Sequence, residues 1–316
     1  MYSTMKLAFL VTFVAVLQGG LSSPLSTETL QPTKFLVVDT DGGIDDTLAL
    51  LLLLQNYDKT PILSITCLFG NTDRRQACDN VLRILALADR QGVTILYFVG
   101  SYQTNSGQQF SRIPAALALS KLSRQYPGAI TLLALGPLTN LALAHRIDPY
   151  FTHNLREIVI LGGNYNGILT GIEFNFEEDP LAANIILTEA ACPVTLVPLE
   201  TTTKNGIPWD LYPELAKTDT RFGHFFGRVS EVQHIRERQR GDPTYIVYDF
   251  VAAAVVLHPD IVTAEEKRVL AVEYERQFTP GTTVVLDTME RKPVRIVTDV
   301  NGTAIVELFR RMLNSM

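Results

Sequence analysis

The segment Phe35-Leu-Val-Val-Asp39-Thr40-Asp41-Gly42-Gly43-Ile44-Asp45-Asp46-Thr47-Leu48-Ala49-Leu50 runs from an apolar strand through a Gly-Gly turn into an apolar helix. Four carboxylates fall within eight residues of it, Asp39, Asp41, Asp45 and Asp46. Parallel α/β sheets place their ligand sites at the carboxyl ends of strands, where this turn lies. Like charges ~4 Å apart repel by several kcal/mol at the intermediate dielectric of such a site. The helix N-terminus offsets only ~1 kcal/mol of that. Capping employs one or two acidic side chains per helix, not four. A hard divalent cation held through oxygen ligands neutralises the rest. It is not an EF-hand: counted from Asp39, Ile44 stands at the sixth position in place of Gly, and Leu50 at the twelfth in place of Glu.

Outward from this segment, strand-like runs alternate with helical periods. Strands are predicted at Phe35–Val38, Ile62–Leu68, Thr94–Phe98, Ile130–Leu135, Glu157–Leu161 and Val194–Pro198. Helices are predicted at Asp45–Asn56, Asp73–Arg90, Ile113–Tyr126, Leu138–His145 and Pro180–Glu189. Continuous apolar strands with helices between them indicate an α/β protein, with an open, mostly parallel, Rossmann-like sheet covered on both faces. Asn205–Gln239 reads as polar and helical, and a further helix follows at Tyr245–Leu257. Short strands at Arg268–Arg276, Thr282–Asp287 and Pro293–Val300 form a small β-rich C-terminal addition before a last helix.

Composition narrows the function. Hydrophobic residues make up 47 % of the chain, which excludes disorder, and a net charge of −6 argues against binding nucleic acid or an anionic membrane. Lys6 precedes the apolar run Leu7–Leu17 and the small-residue exit Gly19–Ser23, the pattern of a secretory signal peptide. Residues 1–23 are therefore expected to be removed, leaving 24–316 as one secreted, extracellular domain. Three cysteines, Cys67, Cys78 and Cys192, are too few for a disulfide scaffold, although a single bridge such as Cys67–Cys78 stays open. Asn301-Gly302-Thr303 is a glycosylation sequon.

Asp39-Thr-Asp41-Gly-Gly-Ile-Asp45-Asp46 resembles the D-T-D-P-G-x-D-D signature of the nucleoside hydrolases, with Gly42 in place of the usual Pro. Similar to that family, in order, are Phe69-Gly-Asn71-Thr, Thr131-Leu-Leu-Ala-Leu135-Gly-Pro-Leu-Thr-Asn140-Leu-Ala, Leu161-Gly-Gly-Asn164, Glu173-Phe-Asn175-Phe, Asp179-Pro-Leu-Ala-Ala, Val197–Thr202 and Asp249. The resemblance implies the nucleoside hydrolase fold and Ca²⁺-dependent hydrolysis of the bond between ribose C1′ and the base, through an oxocarbenium-like transition state. It implies Asp41, Asp46, Asp249 and the backbone carbonyl of Leu135 as calcium ligands, with Asp41 also the general base. Asp45 would accept a hydrogen bond from the 2′-hydroxyl, and Asn71 would hold water and ribose. Glu173 and Asn175 would bind ribose hydroxyls toward the 5′ side. A small-molecule nucleoside is the implied partner, and a homo-oligomer, dimer or tetramer, the implied assembly. Asp39, pointing back along its strand, is expected to orient the loop.

Besides Gly42, two features depart from the family pattern. Tyr248 stands where broad-specificity members carry His and purine-preferring members carry Trp; a phenol stacks on a base but is a poor acid near neutrality, which favours purine nucleosides such as inosine. The stretch between Gly163 and Glu173 is about two residues short, with Asn166 the stand-in for a lost asparagine. Trp209, in the polar helical stretch, is expected to pack, and His224 and His234 there are expected at the surface, with either open as a proton donor. Two rival functions stay open: a Mg²⁺ phosphatase of the haloacid dehalogenase type with Asp39 as nucleophile, and a nucleoside- or Ca²⁺-binding protein that has lost turnover.

Overall fold

A computed structural model describes residues 34–90, 93–96, 110–111, 113–165, 171–275, 279–288 and 290–315. The expected signal peptide, Asn166 and the last residues of the strand expected at Thr94–Phe98 lie outside them. The first half of the chain comprises β1 (Phe35–Thr40), α1 (Ile44–Gln55), β2 (Ile62–Cys67), α2 (Arg74–Leu87), β3 (Thr94–Leu96), β4 (Phe110–Ser111), α3 (Ala115–Gln125), β5 (Ile130–Ala134), α4 (Thr139–Ile147) and β6 (Glu157–Leu161). There follow α5 (Phe174–Glu178), α6 (Pro180–Glu189), β7 (Val194–Val197), α7 (Leu199–Lys204), β8 (Ile207–Pro208), α8 (Tyr212–Leu215), α9 (Arg221–Val229), α10 (Glu231–Arg240), β9 (Thr244–Tyr245) and α11 (Tyr248–Leu257). The chain closes with β10 (Val262–Arg268), β11 (Leu270–Val272), β12 (Thr283–Val285), β13 (Val294–Val300) and α12 (Gly302–Asn314).

Among the described residues nine strands form the main sheet, in the order β10-β13-β7-β6-β5-β1-β2-β3-β4. Every pairing is parallel except that of the edge strand β10 with β13. The C-terminal strands divide: β10 and β13 extend the main sheet beyond β7, and only β11 and β12 form a separate antiparallel pair. Strand alternation fills both faces. Leu36 and Val38 of β1 enter one hydrophobic cluster with α1, α2 and α11, while Val37 enters the other with α4 and α6. Strands buried on two sides carry no polar face, which explains their continuous apolar runs. From Leu48 to Leu54 helix α1 is buried on every side. Each such leucine contributes ~1.5–3 kcal/mol relative to exposure.

The order positions the site. From β1 the chain moves through α1 to β2 on one side, whereas from β5, the other neighbour of β1, it moves to β6 on the opposite side. Connections that diverge between adjacent parallel strands open a crevice at their carboxyl ends. Asp41 follows β1 and Leu135 follows β5 at that crevice. Among the described residues no helix is long and apolar enough to cross a membrane.

Candidate active site

The backbone of the first turn dictates its chemistry. Gly42 has φ +70°, and a Cβ there would lie 2.6 Å from Ala77 Cα. Its N–H donates to Thr40 Oγ1 at 3.2 Å and its carbonyl accepts from Asn80 Nδ2 at 2.8 Å. Proline, fixed near φ −65° and lacking the N–H, does not fit this conformation, so the replacement keeps the carboxylates in register while changing the turn. Gly70 lets the second loop approach Asp41, since a Cβ there would sit 2.0 Å from Asp41 Oδ2. That oxygen accepts from the backbone N–H of Asn71 at 2.8 Å and from its Nδ2 at 3.2 Å.

Three carboxylates converge: one oxygen from each of Asp45, Asp46 and Asp249 lies within 4.8 Å of the others. The carboxyls of Asp41 and Asp249 both lie against that of Asp46. Asp45, expected at the 2′-hydroxyl, thus also offers an oxygen to this group, because the first turn of α1 points it and Asp46 toward the start of α11. Asp46 accepts from Gly43 N–H at 2.9 Å and from the Thr40 hydroxyl. Asp249 lies in the first turn of α11, yet its Oδ1 caps nothing: Asp41 Oδ1 and Asp249 Oδ1 are buried without a partner. Burial, with the negative charge of Asp46 next, lifts the Asp41 carboxyl to about 9. Burial and the charge of Asp41 lift Asp45 to about 7, and burial raises Asp46 and Asp249. Mutually repelling, buried, oxygen-only donors with unpartnered lone pairs suit a hard divalent cation.

Asp39 lies beneath. Its Oδ1 accepts from Thr66 of β2 and from Asn140 Nδ2 at 2.9 Å. Burial raises this carboxyl to about 7. Asn140 and Thr66 thus tie the tips of β1, β2 and α4 together. Asn140 stood in the T-N motif with no role attached to it, and Thr66 gave no signal at all.

The opposite side of the crevice differs from expectation in its hydrogen bonds. Asn175 donates through Nδ2 to the carbonyls of Leu135 at 3.0 Å and Leu161 at 3.3 Å. Its amide N–H groups therefore fix two strand ends, and the Leu135 carbonyl, beside the cavity, retains one lone pair. Glu173 caps α5: its oxygens accept from Gly163 N–H at 2.9 Å, Asn175 N–H at 2.9 Å and Phe176 N–H at 3.1 Å. Burial nevertheless raises the Glu173 carboxyl to about 7.

Asp45, Asn71, Leu135, Glu173, Asn175, Tyr248 and Asp249 all line one cavity of about 440 Å³. Gln233, Arg236, Glu237 and Arg240 of α10 form a further wall of it that sequence reading missed. Trp209 donates from Nε1 to the Asp242 carbonyl at 2.8 Å and lies 4.5 Å beneath the Arg238 guanidinium. His234 stacks on Tyr212 at 4.2 Å, and His224 is exposed beside Asp219. Cys67, Cys78 and Cys192 are free buried thiols, with Cys67 and Cys78 in side-chain contact.

Residues 36–307 match the model of the inosine-uridine preferring nucleoside hydrolases. The chain is 30 % identical over 287 residues to uridine nucleosidase 1 of Arabidopsis thaliana, covering 81 % of this chain and 82 % of that one. It is 28 % identical to the inosine-uridine preferring nucleoside hydrolase of Crithidia fasciculata, covering 79 % and 87 %. A plant nucleoside hydrolase superposes with a TM-score of 0.80 at 24 % identity, over 90 % of this chain and all of the other. An inosine-guanosine nucleoside hydrolase does so with a TM-score of 0.75, also at 24 % identity, over 90 % and 99 %. The phosphatase alternative falls with these matches, and the Asp45-Asp46 pair, foreign to that pattern, is accounted for by the triad with Asp249. With its carboxylates gathered at the crevice between β1 and β5, this chain belongs to the nucleoside hydrolase family and is a nucleoside N-ribohydrolase.

Proposed function

We propose that this protein is a secreted, Ca²⁺-dependent hydrolase of ribonucleosides that releases free base and ribose, with inosine among its good substrates. The convergence of Asp45, Asp46 and Asp249, with Asp41 against them, is the observation that carries this reading. Asp41, Asp45, Asp46, Asp249 and the free lone pair of the Leu135 carbonyl would hold the cation. A bound Ca²⁺ supplies positive charge that orients water and sugar hydroxyls and lowers the pKa of water.

Asp41 is the general base. Its Oδ2 is immobilised by Asn71, and its unpartnered Oδ1 takes the proton of the attacking water. Glu173 and Asn175 fix the wall that faces the ribose. A site with buried acceptors for the sugar hydroxyls rejects a 2′-deoxy analogue, because those groups are then left unpaired. Tyr248 lines the cavity and offers a face on which a purine stacks. Uridine is the second reading, favoured by the naming of the Arabidopsis relative as a uridine nucleosidase. Secretion rests on the basic start and apolar run ahead of residue 24, and the exposed sequon residue Asn301 is compatible with it.

Incubation with inosine, adenosine, guanosine and uridine, with and without a chelator, tests this reading. The expected result is free base and ribose, abolished by chelation and restored by Ca²⁺. Binding without product would make the chain a nucleoside-binding protein instead.

A further inference from the structure

When the C1′–N bond breaks, its electron pair stays on the base, and departure is fast only if the base gains a proton as the bond lengthens. The question is which group in the cavity supplies it. Asp45 and Asp249 face the cation end, and Glu173 is spent on capping α5, with three backbone N–H groups on its carboxylate, at the wall assigned to the ribose. A guanidinium is a donor of hydrogen bonds and not an acid near neutrality, which sets the arginines of the cavity aside. Burial pushes the Tyr248 phenol above its ordinary value of 10, further from service as a neutral-pH donor. Neither His224 nor His234 is among the residues lining the cavity.

One titratable side chain among the cavity-lining residues is left. Glu237 projects from the face of α10 that carries Gln233 and Arg240 to the cavity, and its carboxyl is only 1 % exposed. Its position is fixed: Oε1 accepts from Gln233 Nε2 at 2.8 Å and Oε2 from the Ile246 N–H at 3.1 Å, two residues before Tyr248. Gln233 is itself held by the Ile246 carbonyl at 3.0 Å and the Tyr245 hydroxyl at 3.1 Å. Each Glu237 oxygen keeps one lone pair, so the carboxyl can carry a proton without giving up either bond.

We propose that Glu237 is the acid that protonates the departing base, resting on the hydrolytic reading above. As the glycosidic bond breaks, its electrons move onto the base and the Glu237 carboxyl proton passes to a basic atom of the ring. The water oxygen forms the new bond to C1′ and its proton goes to Asp41; Asp41 then releases that proton to solvent and the Glu237 carboxylate takes one up. The electrostatic surroundings suit the role. Arg240, 4.0 Å away, favours the anion, whereas Asp242 opposes it, and among the described residues Asp45, Tyr212, Tyr245 and Tyr248 also feel the Glu237 charge. Burial outweighs Arg240 and the two hydrogen bonds and holds the carboxyl up at about 7.

The test compares wild type and Glu237→Gln, both loaded with Ca²⁺, on inosine and on p-nitrophenyl β-D-ribofuranoside, whose phenolate departs without a proton. The expected result is a loss in kcat of about 10²- to 10³-fold on inosine with p-nitrophenyl riboside turnover preserved. The descending limb of the wild-type inosine pH profile, near 7, disappears in the variant. Equal losses on both substrates in a folded variant, or no loss on either, overturn the assignment. Should Glu237→Gln fail to fold, Glu237→Asp, which keeps a carboxyl on a shorter arm, is expected to lower inosine turnover selectively; proportionate losses again overturn it. A wild type inert toward both substrates defeats the hydrolytic reading, which is a different result.

Discussion

The two ends of the cavity are built in opposite ways. At the cation end, Asp41, Asp45 and Asp46 come from one turn, clamped by strand tips through Thr40, Asn71 and the Asp39–Asn140 bond. At the other end, Gln233, Glu237 and Arg240 project from a helix whose remaining surface is largely solvated, and the Ile246 backbone ties that helix to the approach to α11. The first end gathers like charges that need a counter-ion. The second isolates one carboxyl among hydrogen-bond donors. One group of carboxylates thus serves the sugar and water, while a solitary acid serves the base, and raised carboxyl pKa values serve opposite purposes at the two ends.

The sharpest way to separate the ends is to remove Asp41. Asp41→Ala deletes both the general base and a contact of the ion-holding group, so kcat is expected to fall by about 10³-fold or more on every substrate, p-nitrophenyl riboside included. Comparable rates on that activated substrate would show that Asp41 serves the leaving group rather than water. A backbone change at the same end ranks next. Gly42→Pro restores the residue usual in the family signature, yet the turn requires φ +70° and a donated N–H. A loss of about 3 kcal/mol in stability is expected, read from urea unfolding; an unchanged midpoint would mean that the turn relaxes to the other geometry.

Removal of the cation is expected to cost less. At a hundredfold excess over its Kd, a ligand of the native state adds about 2.7 kcal/mol, which for a domain of this size corresponds to roughly 5–10 °C in Tm. The effect depends on pH in a definite direction. Without a cation, folded Asp41 and Asp45 are raised to about 9 and about 7 from the ordinary 3.8. The folded state therefore binds more protons than the unfolded one between about pH 4 and those values, and stability falls as pH rises through that window. The chelator-induced drop in Tm should accordingly be larger at pH 8 than at pH 5.5. A drop that is the same at both would place the cation away from these carboxylates.

How much of this was legible in the sequence follows the same division. The carboxylates of the first turn are adjacent in the chain, so their crowding is visible without a structure, and the alternating apolar runs set the layered α/β architecture. The placement of β13 beside β7, and of the polar edge strand Val262–Arg268 beside β13, was not legible. Pairing partners distant in sequence leave no local trace, and an exposed edge strand lacks an apolar face. Asn140 and Thr66 matter only because the tips of β1 and β2 meet the start of α4. Glu237 sits in Glu231-Val-Gln-His-Ile-Arg-Glu-Arg-Gln-Arg, which reads as a solvated charge run; only the packing of α10 against β9 and Ile246 buries that one carboxyl.

Tyr248 gives the smallest expected effect and the finest discrimination between the ends. It borders both, one residue before Asp249 and on the cavity wall with Glu237. If the base stacks on its ring and takes its proton from Glu237, the phenol hydroxyl is dispensable. Tyr248→Phe keeps the ring and is expected to change kcat on inosine by less than about fivefold, within the ~1 kcal/mol of a single hydrogen bond. Steady-state rates for Tyr248→Phe and Glu237→Gln measured side by side order the two donors. A collapse in Tyr248→Phe, with Glu237→Gln intact, would move the acid to the α11 end and leave Glu237 as the brace that holds α10 to Ile246.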